Sequence, residues 1–262
     1  MLKGLLFIIG LCSICLCILF FVGKKYGVRE HGLVYHHNFS DVACCLDIAH
    51  AGGAYKGHYY TNSLEALNSH YDNGRRIFEI DFVVNKDGDA LLTHDKSDET
   101  LKTAAFMSWN GAYTRLDLKA LNVWLESHED AIIVTDTKNS FAFFYANLLS
   151  QASASFIEKH YVFQVYSLAQ LEGMQKQYKG ASLILTLYRM SGDHKKIMKE
   201  IKKLDTDIAI TMPLSYARAH LAKLRAENPR KRFYVHGRPA EINLENVQFK
   251  LRKLGASGFY LD

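Results

Sequence analysis

Two carboxylates spaced two residues apart, Glu79 and Asp81, lie in a run rich in β-forming residues, Ile77 to Val83. On a strand, residues two apart point to the same face. Carboxylates aimed together into a protein interior repel strongly unless a cation sits between them. Asp136, at the end of another β-rich run, offers a third oxygen ligand. Three carboxylates suit a hard divalent cation, Ca²⁺ or Mg²⁺, completed by water and substrate oxygens. His50 and His94 supply a proton acceptor and a proton donor that work near neutral pH. A histidine at a strand end is often only structural, and Glu79 has Arg75 and Arg76 nearby as ion-pair partners. Residue types and spacing therefore leave a catalytic centre and a structural ion-pair network both open.

The elements that must position these groups alternate. β-rich runs are expected at Cys45 to Ala49, Ile77 to Val83, Ala131 to Thr135, Tyr161 to Val165, Ser182 to Leu187, Ile208 to Met212, Arg232 to Val235 and Gly258 to Leu261. Between them lie amphipathic stretches: Ser63 to Tyr71 with Asn62 or Ser63 as cap, Asp117 to Ser127, a long helix from Phe141 to Glu158, Leu168 to Gln177, His194 to Lys203, Ser215 to Glu227 and Glu245 to Leu254. Asn85-Lys86-Asp87-Gly88 reads as a turn, with an extended segment from Ala90 to Thr93 after it. Strands alternating with helices argue for a parallel sheet, and eight of them predict an α/β fold closed as a (β/α)8 barrel. In such barrels reactive residues sit at the C-terminal ends of strands. Those ends carry His50, Glu79 and Asp81, His94 and Asp95, Asp136 and Lys138, and later Gln164, Tyr166, Arg189, His236 and Arg238.

The chain is long enough, at 262 residues, for one barrel and an appendage. Its net charge of +5 is mild, and the Lys and Arg residues are scattered without aromatic interleaving, so no nucleic-acid partner is expected. A weak attraction to anionic lipid is compatible with this charge. Leu5 to Val22 is a nearly unbroken apolar run between Lys3 and the Lys24-Lys25 pair. About 20 such residues span a hydrocarbon core, and the sequence after Val22 lacks a small-x-small cleavage pattern. Residues 1–23 are accordingly expected to form a single N-terminal transmembrane helix, followed by a linker over 24–43 and the barrel over 44–262. Charge counts on the two flanks barely differ, so the side of the membrane stays open. Cys12, Cys15 and Cys17 fall in the apolar run, and Cys44 and Cys45 are adjacent, which leaves no readable disulfide framework.

Several ordered segments resemble the glycerophosphodiester phosphodiesterase family. Ile48-Ala49-His50-Ala51-Gly52-Gly53 is similar to its first strand and His-Arg-Gly motif, and Asn62-Ser63-Leu64-Glu65-Ala66-Leu67 to its Glu-Asn-Thr-Leu helix start. Phe78-Glu79-Ile80-Asp81 matches the Glu-x-Asp pair. Lys86-Asp87-Gly88 followed by Leu92-Thr93-His94-Asp95 matches the Lys-Asp-Gly … His-Asp segment. Val134-Thr135-Asp136-Thr137-Lys138 resembles the Glu-x-Lys strand end, and Gly258-Phe259-Tyr260-Leu261-Asp262 the closing Gly-x-Tyr-Thr-Asp. The resemblance covers about residues 46–262.

It implies metal-dependent hydrolysis of glycerophosphodiesters or related phospholipid-derived diesters to a phosphomonoester and an alcohol. Carried over, Glu79, Asp81 and Asp136 bind the divalent ion, His50 and His94 form the acid–base pair, and Lys138 and Asn62 help hold the substrate. Two positions depart from the pattern. Ala51 stands where the family has arginine, and Thr61 where it has glutamate. Losing the arginine removes a bidentate phosphate contact that a point charge does not reproduce. Arg189 or Arg238, from the opposite strands, is expected to stand in for it. The alternatives are a cyclising lyase of the related phospholipase barrels, and a weakly catalytic, membrane-tethered module that binds a phospho-ligand. The alcohol half of the substrate, the oligomeric state and the metal's identity stay open.

Overall fold

The computed structural model describes residues 47–178, 181–190, 194–204 and 208–262. The expected transmembrane helix (1–23), the linker (24–43) and all five cysteines lie outside them. Among the described residues no helix is long and apolar enough to cross a membrane.

Eight parallel strands close into a barrel: β1 (Ile48–Ala49), β2 (Ile77–Val84), β4 (Ile132–Thr137), β5 (Tyr161–Val165), β6 (Ser182–Thr186), β7 (Ala209–Pro213), β8 (Arg232–His236) and β9 (Gly258–Leu261). β9 pairs with β1, and β1 with β2, which completes the ring. A short β3 (Ala90–Leu92) runs antiparallel along the outer end of β2. The helices are α1 (Leu64–Asp72), α2 (Thr103–Met107), α3 (Leu118–Glu126), α4 (Phe141–Gln151), α5 (Ala154–His160), α6 (Leu168–Gln177), α7 (His194–Lys203), α8 (Leu214–Glu227), α9 (Pro239–Ile242) and α10 (Glu245–Lys253).

Alternation along the strands sorts the residues into two cores. Phe78, Ile80, Phe82, Ile133, Phe163, Leu185, Ile210, Phe233 and Phe259 belong to the large cluster that also contains the helix residues. Ile48, Ile77, Ile132, Val134, Ile184, Ala209, Tyr234 and Tyr260 form a smaller cluster of their own, which fills the inside of the barrel. Continuing the inner set toward the C-terminal strand ends changes its character, because the next members are Glu79, Asp81, Asp136, Gln164, Thr186 and Thr211. The barrel has an apolar floor and a polar mouth.

The ring closes across a first strand of only two residues, and a charge cluster reinforces it. Asp47, 7% exposed, accepts hydrogen bonds of 2.9 Å from the Phe259 amide and from Arg252 Nη2 of α10. Its carboxylate thereby ties β1 to β9 and to the last helix. Such charge-assisted bonds contribute about 1.5–3 kcal/mol each.

The expected long helix from Phe141 to Glu158 is two helices. Ala152 adopts an extended conformation (φ −139°, ψ 147°), and the Ser153 hydroxyl accepts from the Phe156 amide, capping a new start. Serine competes with the backbone for hydrogen bonds, which favours a cap over a helix interior. A 3-10 turn (Lys96–Thr100) and α2 fill the segment after β3, where no element was expected.

Candidate active site

The barrel register assembles the site. Asp81 on β2 lies beside Asp136 on β4, and Glu79 beside Val134. Glu79 and Asp81 are 2% and 1% exposed. One carboxylate oxygen from each of Glu79, Asp81 and Asp136 lies within 4.8 Å of the others. That separation fits oxygens at about 2.3–2.6 Å around one ion. Asp136 Oδ1 is buried with no hydrogen-bond partner among the described residues, so an oxygen of the trio is open to a ligand. The donor set, all oxygen and all anionic, fits a hard divalent cation.

Lys138 enters this cluster from the end of β4. Its Nζ lies 2.5 Å from Asp81 Oδ1 and 2.6 Å from Asp136 Oδ2. Burial works against its charge, but Asp81 and Asp136 outweigh that and raise its pKa. Burial pushes the Glu79 carboxyl up to about 8, with the Asp81 charge adding to it. Asp136 is likewise raised by burial, against the pull of Lys138. The Lys138 ammonium is thus set against the mutual repulsion of the three carboxylates.

Three further contacts hold the carboxylates in place. The Ala51 amide donates to Glu79 Oε2 at 2.8 Å. Asn62 Nδ2 donates to Asp81 Oδ2 at 2.9 Å, and Asn62 Oδ1 accepts from the Asp81 amide at 2.9 Å. Asn62 is wholly buried. Its side-chain amide is taken up by Asp81, so it stands behind the carboxylates as their support. Ala51, where arginine was expected, is also wholly buried in a left-handed conformation (φ 48°). Gly53 follows at φ +96°, and a Cβ there would come 2.2 Å from the His70 ring, so only glycine fits this turn.

His50 emerges one residue beyond the Ala49–Phe78 and Ala49–Leu261 pairs, which sets it between Glu79 and Asp262. His50 Nε2 lies 4.0 Å from Glu79 Oε2, and Nδ1 lies 3.4 Å from Asp262 Oδ1. The latter is an ion-pair distance, and neither His50 Nδ1 nor the Asp262 carboxylate makes a hydrogen bond among the described residues. Burial lowers the His50 pKa, yet Asp262, Glu79 and Asp81 together raise it to about 9. The Asp262 side chain is fully buried. Its place at a strand end beside the first strand is the signal that could have marked it as a site residue.

His94 is exposed in the turn between β3 and the following 3-10 turn. Tyr60 connects it to the centre: the Tyr60 ring centroid is 4.9 Å from that of His50 and 5.1 Å from that of His94. Tyr60 carried no motif signal. Arg189, past β6, is exposed and stacks over Tyr166 at 4.2 Å, and its charge reaches Asp136. Arg238 is exposed just beyond β8, at the start of α9. The structure thus brings Glu79, Asp81, Asp136, Lys138 and His50 together, supports them with Asn62, and places His94, Arg189 and Arg238 around the rim. His236, at the end of β8, is pushed down to about 4 by burial and by the nearby His50 charge, and its buried Nε2 has no hydrogen-bond partner among the described residues.

No family model matches the chain, and no curated protein matches its sequence. Solved structures do match. A protein of glycerophosphodiester phosphodiesterase type from Galdieria sulphuraria superposes with a TM-score of 0.69 at 13% identity, covering 83% of this chain and 94% of that one. A glycerophosphoryl diester phosphodiesterase from Parabacteroides distasonis gives 0.67 at 14% identity, over 89% and 86%. A phosphodiesterase from Oleispira antarctica, solved with its product sn-glycerol-3-phosphate, gives 0.60 at 14% identity, over 82% and 91%. The chain has the glycerophosphodiester phosphodiesterase fold.

Proposed function

We propose that this protein is a metal-dependent phosphoric diester hydrolase acting on glycerophosphodiesters or related phospholipid-derived diesters. The observation that carries the reading is the trio Glu79, Asp81 and Asp136, three carboxylates from adjacent strands with oxygens within 4.8 Å of one another and a histidine beside them. Ion-pair networks in barrels do not need three acids, two of them fully buried, gathered at one mouth. The fold supports the same reading, as does the glycerol phosphate held by the structural neighbour from Oleispira antarctica.

Glu79, Asp81 and Asp136 would hold a Ca²⁺ or Mg²⁺ ion, which when bound supplies Lewis-acid charge for the phosphate oxygens. The remaining steps fall to side chains. His50 turns Nε2 toward the carboxylates and Nδ1 toward Asp262. A cation held by Glu79 and Asp81 would offset the charges that raise the His50 pKa, so the neutral ring would take the proton of the attacking oxygen at Nε2 while Asp262 stabilises the imidazolium. His94, at the rim, returns a proton to the departing alkoxide. Lys138 and Arg189 supply positive charge to the phosphate, Lys138 by turning from the carboxylates it now bridges. Arg238 lines the approach.

Screening the purified protein against a panel of diesters, with and without chelator, tests this. Activity is expected to vanish in chelator and return with Mg²⁺ or Ca²⁺. Full turnover in excess chelator contradicts the proposal. A second reading, a weakly catalytic phospho-ligand module, draws on Ala51, which leaves no guanidinium beside His50. It predicts that the panel gives binding without turnover. Tethering by residues 1–23 rests on the apolar run alone. Removing them is expected to release the protein from the membrane fraction.

A further inference from the structure

Backbone strain in the described chain is confined to one loop. Ala51, Lys56, Tyr60 and Asn62 have φ of 48°, 48°, 58° and 47°, and no other described non-glycine residue has a positive φ. This region is disfavoured for L-residues, most of all for bulky ones, and persists where the surroundings enforce it. Three of the four have evident reasons. Ala51 turns its amide to Glu79, and Asn62 brackets Asp81. Lys56 opens the two-residue turn between the paired Tyr55 and His58, where a positive φ is normal.

Tyr60 has no such role in holding the carboxylates or shaping a hairpin. What its conformation does is place its ring between the two histidines. The ring meets His50 edge-on, at 4.9 Å and 83°, and His94 at 5.1 Å and 44°. It is held from behind, because Asn62 Nδ2, which binds Asp81, also donates to the Tyr60 carbonyl at 3.3 Å. The carboxylate platform, the strained backbone and the ring are therefore one unit. Neither His94 nor the Tyr60 hydroxyl makes a hydrogen bond to another described residue, so the ring is what relates the exposed His94 to the centre.

The geometry points to Tyr60 as a positioning residue for His94, a spacer that fixes the gap between the two imidazoles across which the diester is cleaved. The chemistry assigned to the histidines rests on the proposed function, whereas the spacing does not. A merely structural role for Tyr60 would slow all substrates alike. Positioning of a proton donor matters only where the leaving group needs protonation.

The test compares Tyr60→Ala and Tyr60→Phe on sn-glycero-3-phosphoethanolamine and on a glyceryl p-nitrophenyl diester. Tyr60→Ala is expected to slow the alkyl ester about 10–100-fold, the scale of a small misplacement, with a much smaller effect on the p-nitrophenyl ester. Tyr60→Phe is expected to keep the wild-type ratio between the two substrates. Equal losses on both esters, no loss on either, or a Tyr60→Phe ratio like that of Tyr60→Ala each overturn the assignment. If the wild type cleaves no diester, the proposed function has failed and the spacing is judged by NMR. The His94 ring-proton shifts should move in Tyr60→Ala and stay in Tyr60→Phe. Unmoved His94 shifts in Tyr60→Ala overturn the spacer itself.

Discussion

Replacing Lys138 with methionine removes the one ammonium that bridges Asp81 and Asp136 at 2.5 and 2.6 Å. The Lys138 side chain is 11% exposed and that of Asp81 1%, so water screens the pair poorly. Breaking a buried pair by deleting one partner costs about 3–5 kcal/mol. At about 2–4 °C per kcal/mol for a domain of this size, the melting temperature in chelator should fall by about 6–20 °C. The loss should depend on pH. Burial already raises the pKa of Asp136 and lifts that of Glu79 to about 8, and loss of the ammonium leaves both holding protons that they release on unfolding. A raised folded pKa gives stability that is present at low pH and lost as pH rises through it. The deficit should therefore be small near pH 5 and largest above pH 8. Saturating Mg²⁺ should shrink it, and Lys138→Met should bind the ion more tightly than wild type, because a competing cation is gone. Calorimetry across pH, with and without ion, measures all three effects. A deficit below about 1 kcal/mol in chelator, well under that expected for a buried pair, or one that ion and pH leave unchanged, refutes the view that Lys138 neutralises the trio.

The histidines separate by leaving group. His50→Ala and His94→Ala should each cut turnover by about 10²–10⁴-fold with little change in ion affinity measured by titration calorimetry, and a p-nitrophenyl ester should rescue only the variant that lost the acid. Asn62→Ala should weaken ion binding by about 10–100-fold although Asn62 touches only Asp81 and backbone. Undiminished ion affinity in that variant would show that Asp81 needs no support.

The barrel was legible because periodicity and strand-end chemistry agree: inner and outer residues alternate cleanly on β2 and β4, and Glu79, Asp81 and Asp136 fall where the inner row reaches the mouth. The helix break at Ala152–Ser153 was harder to see, because apolar periodicity runs through it and only a serine cap marks it. The contact of the Asn62 amide with Asp81 depends on the left-handed turn at φ 47°, which no pattern of residue types announces. Tyr60 and Asp262 carry no signal of their role in the sequence for a related reason. Tyr60 acts through a loop whose path is set by strain, and Asp262 matters only once β9 lies beside β1.

That last juxtaposition bears on how the protein comes into being. The contact between Asp47 and the Phe259 amide joins residues 212 apart in sequence. Local strand–helix units form early, but a loop of this length closes late, since its entropy is recovered only when both edges meet. The carboxylate trio lies on neighbouring strands and is expected to be in place before closure. The Asp262 that supports His50 is not. Ion affinity should thus be acquired during folding ahead of a competent base, and the two-residue first strand is the seam at which the ring reopens first when the native state breathes.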